Sequence, residues 1–434
     1  MKKSMKIAVI ICLALGLMML GFGIYAGSLG ATSQALKDSA AAYNRAMAQV
    51  KAAEVLGKDT ADIEIPEEVV LTPQENRLIR LHDMKDFFLI VGIDLLVVAT
   101  GAFFLSLHRK RQRDKGQELR KVSSGNNILG ILIAFIVLCF NLALASDAFL
   151  TMNNFLNVFQ QISINFVVAI GMTYVIISGG IDLSVGSNIA LSGLLMAIMM
   201  KYWGLSVPLT ILLGILFSVA IGVINGVMIT YLSLPPFIAT LGMMYLARGA
   251  AYTVTGGQPL YTFPKGFTDV SSRVAGIPLY GILIMLAILL IGWYGLKYTR
   301  PGRFTFAVGG NENCARLSGI DVNRTKVFVY AFSGFCCGVA ALLLASRLDS
   351  AVPTNADGQE MDAIAAVVIG GTSMKGGEGS MLGTVIGILI IGVISNGLNL
   401  LGVPQGPQKM IKGALIVIAV IIDVMRRRSA ESAG

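Results

Sequence analysis

The chain has 434 residues, of which 55% are hydrophobic and only 14% charged, with a formal net charge of +9. A soluble domain carries about 25% charged residues, so most of this surface is solvated by something other than water, and a soluble globular fold is excluded. The 2 histidines exclude a zinc centre built on imidazole, and the 5 cysteines (Cys12, Cys139, Cys314, Cys336 and Cys337) form neither metal-type doublets nor a disulfide framework.

Apolar runs predict membrane-spanning helices, because roughly 20 such residues cross the ~30 Å hydrocarbon core and backbone groups cannot stay unpaired in lipid. In chain order they fall at 7–27, 87–107, 128–146, 158–178, 188–203, 207–231, 237–255, 277–298, 327–346, 362–371, 382–403 and 408–425. No ten-residue alternation of the kind a membrane β-barrel needs is present. The fold class is therefore all-α, a polytopic transmembrane helical bundle. The runs at 188–203 and 362–371 are short and adjoin glycine-rich segments, which predicts broken or re-entrant helices there.

Charge sets the expected orientation. The start, MKKSMK, the connection 108–127, the 297–326 stretch and the tail with Arg426, Arg427 and Arg428 are basic and belong in the cytoplasm. Residues 28–86 carry more Asp and Glu than Lys and Arg and belong outside, so both termini are expected to be cytoplasmic. Because the positive charge sits in loops and tails, it is assigned to membrane topology and not to nucleic-acid binding. The first span also resembles a secretory signal around Ala26-Gly27-Ser28, but its apolar stretch is long for one, which favours a retained anchor. Residues 33–56 read as an external helix, either a solvated spacer or a contact surface for an extracytoplasmic partner.

No phosphate-binding loop of the G-x-x-x-x-G-K-[ST] type occurs, nor a G-x-S-x-G elbow, nor an H-E-x-x-H helix. A catalytic role for the chain alone is unsupported, and neither catalytic nor metal-binding residues are assigned.

Four segments stand out from generic apolar helix. In Ser178-Gly179-Gly180-Ile181-Asp182-Leu183-Ser184-Val185-Gly186-Ser187 the glycines end one helix, and Ser184 or Ser187 can cap the next. Asp182 is either part of that capping or a carboxylate lining a polar cavity within the membrane. Pro235-Pro236 begins a helix that carries Thr240, and Asn225 lies just upstream, near the end of a span. The basic stretch Thr299–Ile320 is read as a loop containing a short amphipathic helix from Glu312 to Ser318, with Arg316 on it and Gly319 closing it. Such a helix suits a soluble partner, while an anionic lipid surface is the alternative. Finally, Gly370-Gly371 through Gly379-Ser380 echoes the plan of the first segment, and Gly334-x-x-x-Gly338 and Gly383-x-x-x-Gly387 allow close helix approach.

The stretches GGIDLSVGS, PPFIATLGM, VGGNENCARLSGI, DAIAAVVIGGTSMKGGEGS and ISNGLNLLGV occur in that order. Together they resemble the membrane permease of ribose-type bacterial ABC sugar importers over roughly 128–428. The resemblance implies a ten-helix permease core (128–428) and a short cytoplasmic tail (429–434). Residues 1–127, an N-terminal extension with two further spans and the external segment 28–86, have no counterpart in the usual ribose-type permease. It further implies a second copy of the permease, a cytoplasmic ATPase that binds ATP and Mg, and an extracytoplasmic solute-binding protein, with no cofactor in this chain. Glu312, Ala315 and Gly319 match the loop through which such permeases engage the ATPase, where Cys314 replaces the more usual alanine. Asp182, Ser184, Asn225, Thr240, Asn396 and Asn399 are the candidates for lining the sugar path. A permease for nucleosides or another small polar solute is an alternative. So is an ion-coupled secondary transporter, for which Asp94 and Asp182 are nearly the only intramembrane carboxylates.

Overall fold

The computed structural model describes residues 124–273 and 277–431, together with isolated helical positions between 24 and 42. The expected spans at 7–27 and 87–107, and nearly all of the external segment, lie outside the described residues. The described chain is mainly helical. The helices are α1 (Ser124–Ala145), α2 (Met152–Ile177), α3 (Val185–Lys201), α4 (Val207–Thr230), α5 (Pro236–Thr255), α6 (Lys265–Thr268), α7 (Leu279–Tyr298), α8 (Arg300–Gly310), α9 (Glu312–Leu317), α10 (Val322–Leu348), α11 (Gln359–Ile369), α12 (Met381–Leu400) and α13 (Gln405–Glu431). The only strands among the described residues are β1 (Leu260–Tyr261) and β2 (Ser350–Ala351), which pair antiparallel with Leu260 opposite Ala351.

The chain divides into two compact units. One comprises Met1–Arg120, Asn141–Asp147 and Gly397–Gln408, and the other Lys121–Phe140, Ala148–Asn396 and Lys409–Gly434. In the described part of the first unit, Leu142 fills the space above Gly397, and Gln408 donates to Asn399 Oδ1 at 2.9 Å.

The second unit contains the principal core. Five described helices are long and apolar enough to span a membrane: α2, α4, α7, α10 and α12. Their burial sorts them into roles. The most apolar stretches of α2 and α10 are 83% and 72% buried, against 28% for both α4 and α7. Helices α2 and α10 therefore form the centre, and α4 and α7 turn rows of apolar side chains, such as Leu212, Leu216, Leu283 and Leu290, outward. Two close approaches make this packing possible. A methyl added at Gly334 or Gly338 of α10 would press on the α4 backbone at Ser218 and Ile215, and one at Gly383 or Gly387 of α12 would overlap carbonyls at the end of α11.

The two short helices are as the run lengths predict. With 17 and 11 residues, α3 and α11 extend about 25 and 16 Å, less than the hydrocarbon thickness. The glycine segments that adjoin them meet. Gly377 N–H donates to Ile177 O at 2.8 Å, and a methyl at Gly376 would come within 2.8 Å of Gly179 N and Gly309 O. The sequence echo between 178–187 and 370–380 thus corresponds to two backbone segments packed against each other.

The 299–320 stretch is a correction. It is not a loop with one short helix but two helices in succession, α8 and α9. Thr299 caps α8 by accepting from Gly302 N–H, and Pro301 occupies its first turn. Cap followed by proline is a helix-start signal, here outweighed in the sequence reading by the charge of the segment.

Candidate functional site

The segment between α2 and α3 brings most of the candidate path residues together. The α2 helix ends at Ile177, Gly179 adopts the left-handed conformation (φ 81°), and the chain turns back so that α3 can start at Val185. Asp182, only 2% exposed, lies in this turn and is fully engaged. Its Oδ1 accepts from Ser184 N–H at 3.0 Å and Ser184 Oγ at 2.6 Å, and its Oδ2 accepts from Ser333 Oγ of α10 at 2.9 Å. Ser184 Oγ in turn accepts from Asn225 Nδ2 of α4 at 2.8 Å. Ile181 O accepts from the Tyr330 hydroxyl of α10 at 3.3 Å, and Thr240 Oγ1 of α5 lies 3.2 Å from it and 2.9 Å from Pro236 O of its own helix.

This arrangement corrects the expected capping. Neither Ser184 nor Ser187 caps α3 with its side chain: Ser184 makes no such bond, and Ser187 Oγ donates back to Ser184 O at 2.9 Å. The carboxylate two residues earlier takes the free backbone N–H instead, as Asp readily does in a tight turn. Ser333 stands eleven residues into α10 (Val322–Leu348), so Asp182 meets that helix about 16 Å from its start.

The remaining path candidates lie elsewhere. Asn396 of α12 exchanges two hydrogen bonds with Asn154 of α2, at 2.8 and 3.0 Å, in a closed amide pair. Asn399 belongs to the other unit, where it accepts from Gln408. Asp182, Ser184, Asn225 and Thr240 are therefore assembled, and Asn396 and Asn399 are not part of that cluster. Two participants, Ser333 and Tyr330, escaped the sequence reading. A lone serine or tyrosine inside an apolar helix gives no signal unless its partner across the bundle is known. A second polar ladder, Asn188–Ser218–Gly334 O, continues from it along α3, α4 and α10, with Ser218 Oγ within 2.9 Å of Asn188 Oδ1 and 2.6 Å of Gly334 O.

The candidate docking element is α9. Asn311 caps it by accepting from Cys314 N–H at 2.9 Å, and Gly319, left-handed at φ 82°, ends it. Ala315 is 4% exposed and packs with Val308 and Val322, so it seats the helix and does not face outward. Glu312 pairs with Arg316 at 3.4 Å on its own helix and with Lys326 at 2.7 Å in the first turn of α10. The outward face instead carries Leu317, 88% exposed, and Cys314.

Comparison with known proteins covers this same core. A family model described as "Branched-chain amino acid transport system / permease component" matches residues 154–420. The chain is 43% identical over 302 residues to the ribose import permease protein RbsC of Escherichia coli strain K12, covering 67% of this chain and 92% of that protein. To the D-allose transport system permease protein AlsC of the same strain it is 39% identical over 294 residues, 67% and 89% of the two chains. To the xylose transport system permease protein XylH of Haemophilus influenzae it is 32% identical over 372 residues, 72% and 99%. No solved structure is matched. A family match over most of the chain, with long apolar helices around a buried polar centre, leads to one conclusion: the chain belongs to this family of transport-system permease components and is a multi-pass membrane protein.

Proposed function

We propose that the chain is the permease subunit of an ATP-driven importer and forms the path of a monosaccharide, such as ribose or galactose, across a bacterial inner membrane. The observation that carries this reading is the match to sugar-transport permeases over 67% of the chain, joined to a bundle of long apolar helices. The buried hydroxyl and amide groups of Ser184, Ser333 and Asn225 beside Asp182 are of the uncharged kind that a sugar path needs. Relatives named for ribose, allose and xylose support the same solute class.

In this reading a separate cytoplasmic ATPase supplies the energy, an extracytoplasmic binding protein delivers the sugar, and a second permease copy completes the channel. Helix α9 offers the ATPase its exposed Leu317 side chain, on a helix anchored through Ala315 and Lys326. The basic 297–326 stretch supports a cytoplasmic position for that helix, with both termini on the same side. Reconstitution tests the whole reading. Proteoliposomes holding the permease and ATPase, given binding protein and labelled D-ribose, D-allose or D-xylose, should take up sugar only with ATP and should continue in the presence of protonophores. Uptake that ignores ATP and collapses with the ion gradient would sink it in favour of a secondary transporter.

A further inference from the structure

The Asp182 cluster is closed, since each carboxylate oxygen has its donors, whereas a neighbouring group of buried oxygens is not. Arg248 of α5 holds the 353–355 turn, with Nη1 donating to Pro353 O at 2.5 Å and Asn355 O at 2.9 Å. Ala356 and Gly358 then both adopt left-handed backbone (φ 60° and 84°), and α11 starts immediately beyond them. A non-glycine residue in that region is strained, and such strain gathers at functional sites.

This turn brings Glu360 against the first turn of α3. Glu360 is 8% exposed, and its Oε2 is buried without a hydrogen-bond partner. It lies so close to Gly186 that a methyl there would overlap both Oε2 and Ala356 O. Gly186 is thus what admits the carboxylate beside the first turn of α3. Gln359 Oε1 is also buried and unpartnered, as is Asn225 Oδ1, on the amide that donates to Ser184 just before α3. Buried oxygens without donors are rare and costly in native structures, and ionisable groups inside membranes are retained for function.

We propose that Glu360 and Gln359, with Asn225, form the station at which a neutral polyhydroxylated solute is held within the membrane, its hydroxyl groups donating to these oxygens. The inference rests on the sugar-permease reading and names the residues that discriminate among solutes. The open oxygens of Gln359 and Asn225 are acceptors, so the ligand must donate. Occupation requires the starts of α3 and α11 to part, a movement that alternating access between half-helices supplies.

The test uses the full chain with its ATPase and binding protein in proteoliposomes. Labelled D-ribose, D-allose and D-xylose are each compared with a deoxy counterpart. Glu360→Gln should lower uptake of the preferred sugar about tenfold or more per inserted permease and shrink the preference for parent over deoxy sugar, because a site built to hydrogen-bond a hydroxyl discriminates strongly against its loss. ATP hydrolysis stimulated by the binding protein should persist, which shows that the complex is assembled. Gln359→Leu should shrink the same ratio at a half-buried position, and it carries the test if Glu360→Gln fails to assemble. Wild-type uptake and an unchanged ratio in Glu360→Gln, or in Gln359→Leu where that variant stands in, overturn the inference and leave the permease reading intact. A sodium requirement that disappears with Glu360→Gln also overturns it, in favour of a cation site. A wild type that moves none of the three sugars removes the sugar reading and the station together.

Discussion

The carbonyl of Ile177 accepts the backbone N–H of Gly377 at 2.8 Å, so the last turn of α2 is completed by the glycine turn that follows α11. The last carbonyls of a helix have no partner within it, and here one is supplied from a distant part of the chain. Gly309, near the end of α8, sits against the same carbonyl, where an added methyl would overlap it. Three segments therefore meet backbone to backbone at one point: the end of α2, the end of α8 and the glycine turn. Because α8 leads directly into α9, these backbone contacts link α9 to the end of α2.

That junction separates two adjacent glycines. Gly309→Ala should destabilise the permease by roughly 1–3 kcal/mol, the usual range for overpacking, since the obstruction is backbone and cannot swing away. Gly310→Ala meets open space and should stay within about 0.5 kcal/mol of wild type. Thermal unfolding of both variants in detergent, with uptake per inserted protein, checks the contrast. Equal behaviour would show that α8 does not pack against Ile177 in the working protein.

Asp182 offers a second test. Replacing it with Ala strands Ser184 N–H and two hydroxyl groups in a site that is 2% exposed, and each buried group left unsatisfied costs about 1–3 kcal/mol. Asp182→Ala should therefore lose several kcal/mol and accumulate poorly. With Asn the amide oxygen keeps the Ser184 bonds, and the Ser333 hydroxyl can rotate to accept from the amide nitrogen. Asp182→Asn should insert normally and lose no more than about 1–2 kcal/mol. Membrane yield and melting temperature of the pair decide the matter, and comparable losses in both would mean that the negative charge itself is required.

For the Glu312–Lys326 pair, stability and function should part company. The two side chains are 43% and 18% exposed, so the ion pair contributes at most about 1 kcal/mol to stability. Its position matters more, because it fastens α9 to the first turn of α10, the helix that carries Ser333 and Tyr330. Lys326→Met should leave the melting temperature almost unchanged while lowering sugar carried per ATP hydrolysed several-fold. A wild-type ratio in this variant would assign coupling to the α8 junction alone.

The helical architecture was legible at once, and the reason is physical. Lipid leaves a chain of this composition one way to satisfy its backbone, so apolar run lengths locate the spans. The predicted 158–178, 207–231 and 277–298 correspond to Met152–Ile177, Val207–Thr230 and Leu279–Tyr298. The half-length helices at 185–201 and 359–369 were visible for the same reason, and so was the glycine that ends α9. The second helix of the basic segment was missed because its charge spoke louder than its Thr-x-Pro start.

What the sequence determined alone is thus the class of the protein, the spans at 158–178, 207–231, 277–298, 327–346 and 382–403, and the segments where helices break, since these depend on local hydrophobicity and backbone chemistry. Which polar groups meet was decided only by the tertiary structure. Asp182 and Ser333 are 151 positions apart, and Asn154 and Asn396 are 242 apart. Hydrogen bonds act over about 3 Å of space regardless of separation along the chain. Packing alone put Asp182 into a closed network, drew Asn396 away from it into a pair, and set Glu360 against Gly186 with an oxygen left open.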